Sequence, residues 1–223
     1  MRKIHIGLAV FAVFAFSAVV SSSALAASAY LLNGAEIKEL IFTEATGELL
    51  LEDTGIFGKP DVLCSGIFDG MIEPGGVIDE IESVLELNKE LLEGPGGTDL
   101  IECEAHSTCT NPVDVIAINL PWATEVMLTA GGLWYDLINA HAGGGLPGYT
   151  IDCNSIIGLI EDTCTGNTSN QLVNEAGGLL GEFFENETEG ISPPGGCTQG
   201  GAGTGLVVGN GFITSGSGTL TVS

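Results

Sequence analysis

Hydrophobic positions along this chain fall in short β-favouring runs broken by glycine, asparagine and proline, the pattern of a meandering antiparallel sheet. Strands are predicted at 29–32, 37–43, 48–52, 62–68, 100–104, 113–120, 125–129, 133–138, 149–153, 156–161, 179–184, 205–208 and 219–222. So many runs exclude a simple helical domain. Hairpin turns are expected at Asn33-Gly34, Thr46-Gly47, Gly131-Gly132, Gly177-Gly178 and Asn210-Gly211, where a positive φ costs little.

From 77 to 92 the pattern supports two different elements. Ile78, Ile81, Leu85 and Leu92, with Val77, Val84 and Leu91, form a helical stripe behind the breaker Pro74-Gly75-Gly76. Ile81, Ser83, Leu85 and Leu87 also alternate with Glu80, Glu82, Val84 and Glu86, as a strand buried on one side would. Periodicity alone leaves both open.

The N-terminus adds a compartment. Arg2 and Lys3 precede an apolar run from Ile6 to Val20, and Ala24-Leu25-Ala26 stands before Ala27 as an A-x-A cleavage site, so residues 1–26 read as a secretory signal peptide. The run is too short to span a membrane in the mature protein. With no internal repeat and no Pro- or Ser-rich linker, residues 27–223 are expected to form a single secreted β-rich domain. The 34 glycines of the full chain follow no collagen-like period and mark turns instead.

Six cysteines, Cys64, Cys103, Cys109, Cys153, Cys164 and Cys197, follow the signal. An exported chain with an even set predicts disulfides, and six cysteines allow 15 connectivities. Proximity favours Cys153 with Cys164 across a turn near Gly158, and Cys103 with Cys109 around His106. Cys64 and Cys197 are then left to tie early sheet to late sheet. The spacing supplies no C-x₂-C pair for zinc.

Charge removes some partners. Cleavage of the signal leaves three lysines and no arginine against 29 acids, a formal charge of −26. Such a surface repels nucleic acid and anionic lipid, so neither nucleic-acid binding nor membrane insertion is expected. An aromatic fraction of 6% without girdles argues against an outer-membrane barrel. An extracellular protein or a glycan remains open as a partner. The hydrophobic fraction of 44% excludes a disordered acidic tail.

Candidate chemistry is sparse. His106 lies among Glu102, Cys103, Glu104 and Cys109, and His141 precedes Gly143-Gly144-Gly145; both read as loop residues rather than general bases. No G-x-S-x-G elbow supplies an activated serine. Asp152, Asn154, Asp162 and Thr163 offer oxygen ligands near one hairpin, but without the spacing of a calcium loop. The glycines from Gly200 to Gly205 lack the following lysine of a phosphate cradle. Trp122, Trp134 and Tyr135 could stack on a sugar, although core packing is the simpler use. Asn167-Thr168-Ser169 and Asn186-Glu187-Thr188 are glycosylation sequons in a eukaryotic pathway only. No catalytic residue, cofactor or metal ligand is assigned.

Taken with Cys64-Ser65-Gly66, several segments resemble a group of uncharacterised secreted bacterial proteins. They are Ile118-Asn119-Leu120-Pro121-Trp122, Tyr149-Thr150-Ile151-Asp152-Cys153, Asp162-Thr163-Cys164-Thr165-Gly166, and the tail from Gly200-Gly201 to Thr219-Leu220-Thr221-Val222-Ser223. The resemblance spans most of the mature chain. It implies one cysteine-bonded, β-rich secreted domain and strand rather than helix after Pro74-Gly75-Gly76, and it implies no activity, ligand or catalytic residue.

The expected fold is all-β, a mostly antiparallel meander forming a barrel or a sandwich and stapled by disulfides. The expected role is a non-catalytic secreted or cell-surface one, structural or binding. The alternatives are an extracellular hydrolase using paired carboxylates, and a calcium- or glycan-binding module. A deep cleft with two convergent carboxylates would favour the enzyme, and a filled barrel would disfavour it.

Overall fold

The computed structural model describes residues 28–55, 60–86, 100–105, 108–156, 158–184, 196–201 and 204–223. These contain sixteen strands: β1 (Tyr30–Leu32), β2 (Ala35–Glu36), β3 (Ile41–Asp53), β4 (Asp61–Ile72), β5 (Ile78–Glu86), β6 (Leu100–Ala105), β7 (Cys109–Ile118), β8 (Trp122–Leu128), β9 (Trp134–Ala140), β10 (Gly148–Ser155), β11 (Gly158–Thr165), β12 (Thr168–Glu175), β13 (Gly178–Phe183), β14 (Gly196–Cys197), β15 (Gly205–Thr214) and β16 (Leu220–Val222). No helix occurs among the described residues.

Eight strands close on themselves as an antiparallel barrel in the order β3-β4-β5-β8-β9-β12-β13-β15, with β15 returning to β3. Closure leaves no unpaired edge among these eight. Strand β4 serves two sheets: Gly66 to Ile72 pairs with β5, while Val62 to Cys64 pairs with β6. From that fork a second sheet runs β6-β7-β10-β11-β14. A third, three-stranded sheet has the order β16-β1-β2.

Each added sheet covers part of the barrel with apolar side chains. Val113, Val115, Ala117, Tyr149 and Ile151 of the second sheet join Leu49, Leu51, Val62 and Val84 of the barrel in one buried cluster. Tyr30, Leu220 and Val222 of the small sheet meet Ile41, Ile72, Val126, Leu172 and Leu179 in another, which plugs one end of the barrel. At about 1.5–3 kcal/mol for each fully buried aliphatic side chain, these clusters are the main driving force for docking. Gly76 fixes the plug: its carbonyl accepts from Tyr30 N at 2.7 Å, its φ is 68°, and a Cβ there would run into the Tyr30 carbonyl.

The 77–92 stretch is strand as far as Glu86, and 87–92 lies outside the described residues. Turns form at Asn33-Gly34, with φ 52° and 74°, at Gly132 with φ 82°, and at Gly177 with φ 98°, after which Gly178 opens β13. Two predicted turns are corrected. Thr46-Gly47 and Asn210-Gly211 lie inside β3 and β15, where Gly47 stands opposite Gly211 and Glu48 opposite Asn210. A Cβ at Gly47 would run into the Asn210 carbonyl, so glycine there permits close approach of two strands rather than a chain reversal. Predicted strands 37–43 and 48–52 merge from Ile41 into one thirteen-residue strand, and β12 arises in a polar segment with no strand signal.

All six cysteines form disulfides, but with a different connectivity from that favoured by proximity: Cys64–Cys103, Cys109–Cys153 and Cys164–Cys197. Cys64 stands directly opposite Cys103, and Cys164 opposite Cys197, so each bond spans adjacent strands. The tight β10–β11 turn pairs Cys153 with Ile160, which puts Cys164 four positions farther along the ladder, roughly 13 Å at about 3.3 Å per residue. Likewise Cys103 faces Val113 rather than Cys109. Register, not sequence distance, decides which thiols meet.

Candidate functional site

Small residues at lumen-lining positions keep the barrel from filling. Thr43, Ala45, Gly66, Gly70, Gly181 and Gly211 line a cavity of about 520 Å³, within the range of small-molecule sites. At Gly211 even a Cβ would meet nothing nearer than the Thr46 carbonyl at 3.7 Å. The remaining walls are mainly apolar, with Leu49, Leu51, Phe68, Ile81, Phe183 and Ile213 among them. Val115, Ala117 and Tyr149 of the second sheet also line the cavity, continuing it from barrel to second sheet.

Polar groups converge on the lumen. Asp79 on β5 stands opposite Thr124 on β8, and Asp136 on β9 stands opposite Asn170 on β12. Asp79 and Asp136 are 9% and 4% exposed, and Ser169 and Asn170 are equally buried. The Oδ1 atoms of Asp79, Asp136 and Asn170 and the Thr124 Oγ1, all on the lumen face, have no partner at hydrogen-bond distance. Tyr30, reaching in from the plug, hydrogen-bonds the Asp136 carboxylate, and the Thr124 hydroxyl faces it too. Burial pushes Asp136 up to about 6 against those two hydroxyls. Burial also raises Asp79 well above the carboxylate range, and Asp136 and Glu80 add to it. Glu80 pairs with His141 at 2.9 Å.

Such groups are costly to desolvate, since a buried oxygen left unbonded costs about 1–3 kcal/mol and an ionised one more. The cluster therefore lowers stability unless something occupies it, the pattern that marks functional sites.

A second acid pair is already satisfied. Asp162, fully buried, accepts from Thr198 Oγ1 at 2.8 Å and Gln199 N at 2.9 Å. Asp53, also buried, accepts from Gly55 N at 2.8 Å. The Asp53 carboxyl lies beside that of Asp162; burial above all raises Asp162, and Asp53 adds to that against the Gln199 amide and the Thr198 hydroxyl. Tyr149 above them is pushed up by burial, and its hydroxyl reaches the Glu52 and Leu206 carbonyls. The arrangement ties β3, β11 and the turn after β14 together.

The sequence candidates are dispersed. Asp152 pairs with Glu161 and Asp162 with Ile151, so the two aspartates point to opposite faces of the sheet and build no shared cation site. Trp122 and Trp134 lie at opposite ends of the β8–β9 ladder and form no joint platform. Trp122 instead lines the cavity, its Nε1 donating to the Ile118 carbonyl at 2.8 Å, and Trp134 packs on the plug. Gly200 lies against Asp53, which a Cβ at that position would displace. His106 and Asn186 lie outside the described residues, whereas Asn167 lines the cavity.

The lumen aspartates were not singled out from sequence. A signal existed: Asp136 is in phase with Trp134 and Ile138, and Asp79 with Val77 and Ile81, so strand parity points both acids at the core. Comparison of the chain with protein families, curated proteins and solved structures found no match, so function has to be argued from the site alone.

Proposed function

We propose that this protein is a secreted, non-catalytic binding protein that holds one small, mostly apolar molecule in its barrel lumen. The observation that carries this reading is an apolar cavity of about 520 Å³ with unbonded polar atoms converging on it. A filled barrel would have suited a purely structural role; this one keeps its volume by spending lumen-lining positions on glycine. Secretion by way of the 1–26 signal agrees with three disulfides, which are compatible with an extracytoplasmic location. Exposed Glu44 and Glu48 on β3 suit an aqueous exterior.

Two convergent carboxylates also raise the hydrolase alternative. A glycosidase places its acids on either side of the scissile bond. Asp79 and Asp136 sit on one arc of wall, on β5 and β9 with only β8 between them, and the apolar lining gives sugar hydroxyls few partners. Binding therefore accounts for the geometry better than hydrolysis.

The test uses the uncharged fluorophore N-phenyl-1-naphthylamine. Saturable one-to-one binding is expected, weakened at least about tenfold by Gly211→Leu, which fills the lumen. The melting temperature should stay close to that of the wild type, because a Cβ at position 211 meets the Thr46 carbonyl only at an ordinary contact distance of 3.7 Å. Absence of saturable binding, or binding indifferent to Gly211→Leu, would overturn the proposal, as would turnover of glycans abolished by Asp79→Asn.

A further inference from the structure

We infer that the molecule held in the lumen carries a protonated amine, seated between Asp79 and Asp136 with its apolar body along the cavity walls. The inference rests on the lumen being a binding site and adds the chemistry of the head group. Every unbonded atom named there is an oxygen: Oδ1 of Asp79, Asp136 and Asn170, and Oγ1 of Thr124. The Asn170 oxygen and an ionised carboxylate can only accept, and the hydroxyl can accept as well as donate. What the site lacks is a positive charge. Tyr30 is engaged on Asp136 and Trp122 Nε1 on the Ile118 carbonyl, which leaves the Thr124 hydroxyl as a neutral donor beside two acids. No lysine or arginine lines the cavity among the described residues.

An ammonium group brings three donors and a positive charge, so it can satisfy several of these oxygens and favour the ionised form of both acids at once. An alcohol brings one donor and an acceptor that finds little to bond. A carboxylate brings only acceptors and a charge of the wrong sign. The walls require the rest of the molecule to be apolar, so the class is a hydrophobic amine rather than a hydrophilic polyamine or a metal ion.

The same geometry sets a pH dependence. Asp136 is faced by Tyr30 from β1, Thr124 from β8, Asn170 from β12 and Asp79 from β5, with the Glu80–His141 pair beyond Asp79. With its carboxyl pushed up to about 6, Asp136 takes a proton as the solution is acidified through that value. An amine then loses its counter-charge, whereas an alcohol of the same chain length does not.

The decisive experiment is competition against N-phenyl-1-naphthylamine by n-octylamine, n-octanol and n-octanoate, in about 150 mM NaCl to screen the acidic surface. Near pH 7.5 the amine should compete at least about tenfold more strongly than the alcohol, and the octanoate least of all. Most of that margin should vanish near pH 5 and in Asp136→Asn and Asp79→Asn, while the affinity for octanol persists. Should Asp136→Asn not fold, Asp79→Asn and the three ligands on the unaltered protein still decide. Equal competition by amine and alcohol, both blocked by Gly211→Leu, would refute the head group and leave the lumen reading standing. Failure of all three to displace the fluorophore, or displacement insensitive to Gly211→Leu, would remove the lumen reading itself.

Discussion

The buried carboxyl of Asp136 stands between Val126 and Asn170 of the flanking strands and against Tyr30 of the plug, where an ionised group is poorly solvated. Its affinity for a proton is therefore higher in the folded chain, about 6, than in the unfolded one at 3.8. Asp79 and Asp162 are shifted in the same direction. A folded state that binds more protons than the unfolded one gains stability as pH falls. The contribution is fully present below the unfolded pKa and is lost as pH rises through the folded value. Unfolding free energy of the ligand-free protein should accordingly rise on acidification from about pH 7 to about pH 5, by up to about 1.4 kcal/mol per pH unit for each such group. Asp136→Asn, which cannot ionise, should flatten the slope in urea titrations over that interval. Stability that falls steadily through the same range would contradict the burial argument.

Among the strands, β14 is the least self-sufficient. It has two residues, Gly196 and Cys197, pairs only with the end of β11, and is joined to it by Cys164–Cys197. That bond closes 33 residues, a constraint on the unfolded chain worth roughly 3–4 kcal/mol in the loop-entropy account. The double variant Cys164→Ser/Cys197→Ser should lower the free energy of guanidinium unfolding by about that amount. It should also weaken the hydrogen bonds of Thr198 and Gln199 to Asp162, so amide exchange at Gln199 should speed up while the β3–β4 ladder stays protected. An unchanged exchange rate at Gln199 would mean that Asp162, rather than the disulfide, holds this turn. The barrel depends less on crosslinks, for only Cys64 of the six cysteines lies on one of its eight strands.

For the whole molecule the dominant quantity is charge, −24 for the full chain. Like charges on one compact domain repel, and salt relieves the repulsion when the Debye length drops below their spacing. The melting temperature should rise between about 10 mM and 150 mM NaCl, over which that length shrinks from roughly 30 to 8 Å. A flat or falling response would mean that the surface acids are already compensated. The buried lumen acids are screened far less than surface ones, so this salt effect should survive in Asp136→Asn, which separates it from the pH effect above.

Local pattern determined what kind of object this is: short alternating runs and glycine-rich turns cannot make a helical domain, and most of the strands lie where the apolar runs do. Side-chain parity even encoded the direction of Asp79 and Asp136. Sequence could not decide which strands are neighbours, because pairing between distant segments such as β3 with β15 or β4 with β6 depends on closure of the whole sheet. That closure converted Gly47 and Gly211 from apparent turn residues into close contacts, placed Cys64 opposite Cys103, and set Asp53 beside Asp162 across more than one hundred residues. It also brought two acids from separate strands into one lumen. Period and propensity act within a few residues along the chain; register and cavity are set by contacts through space, and those existed only once the barrel had closed.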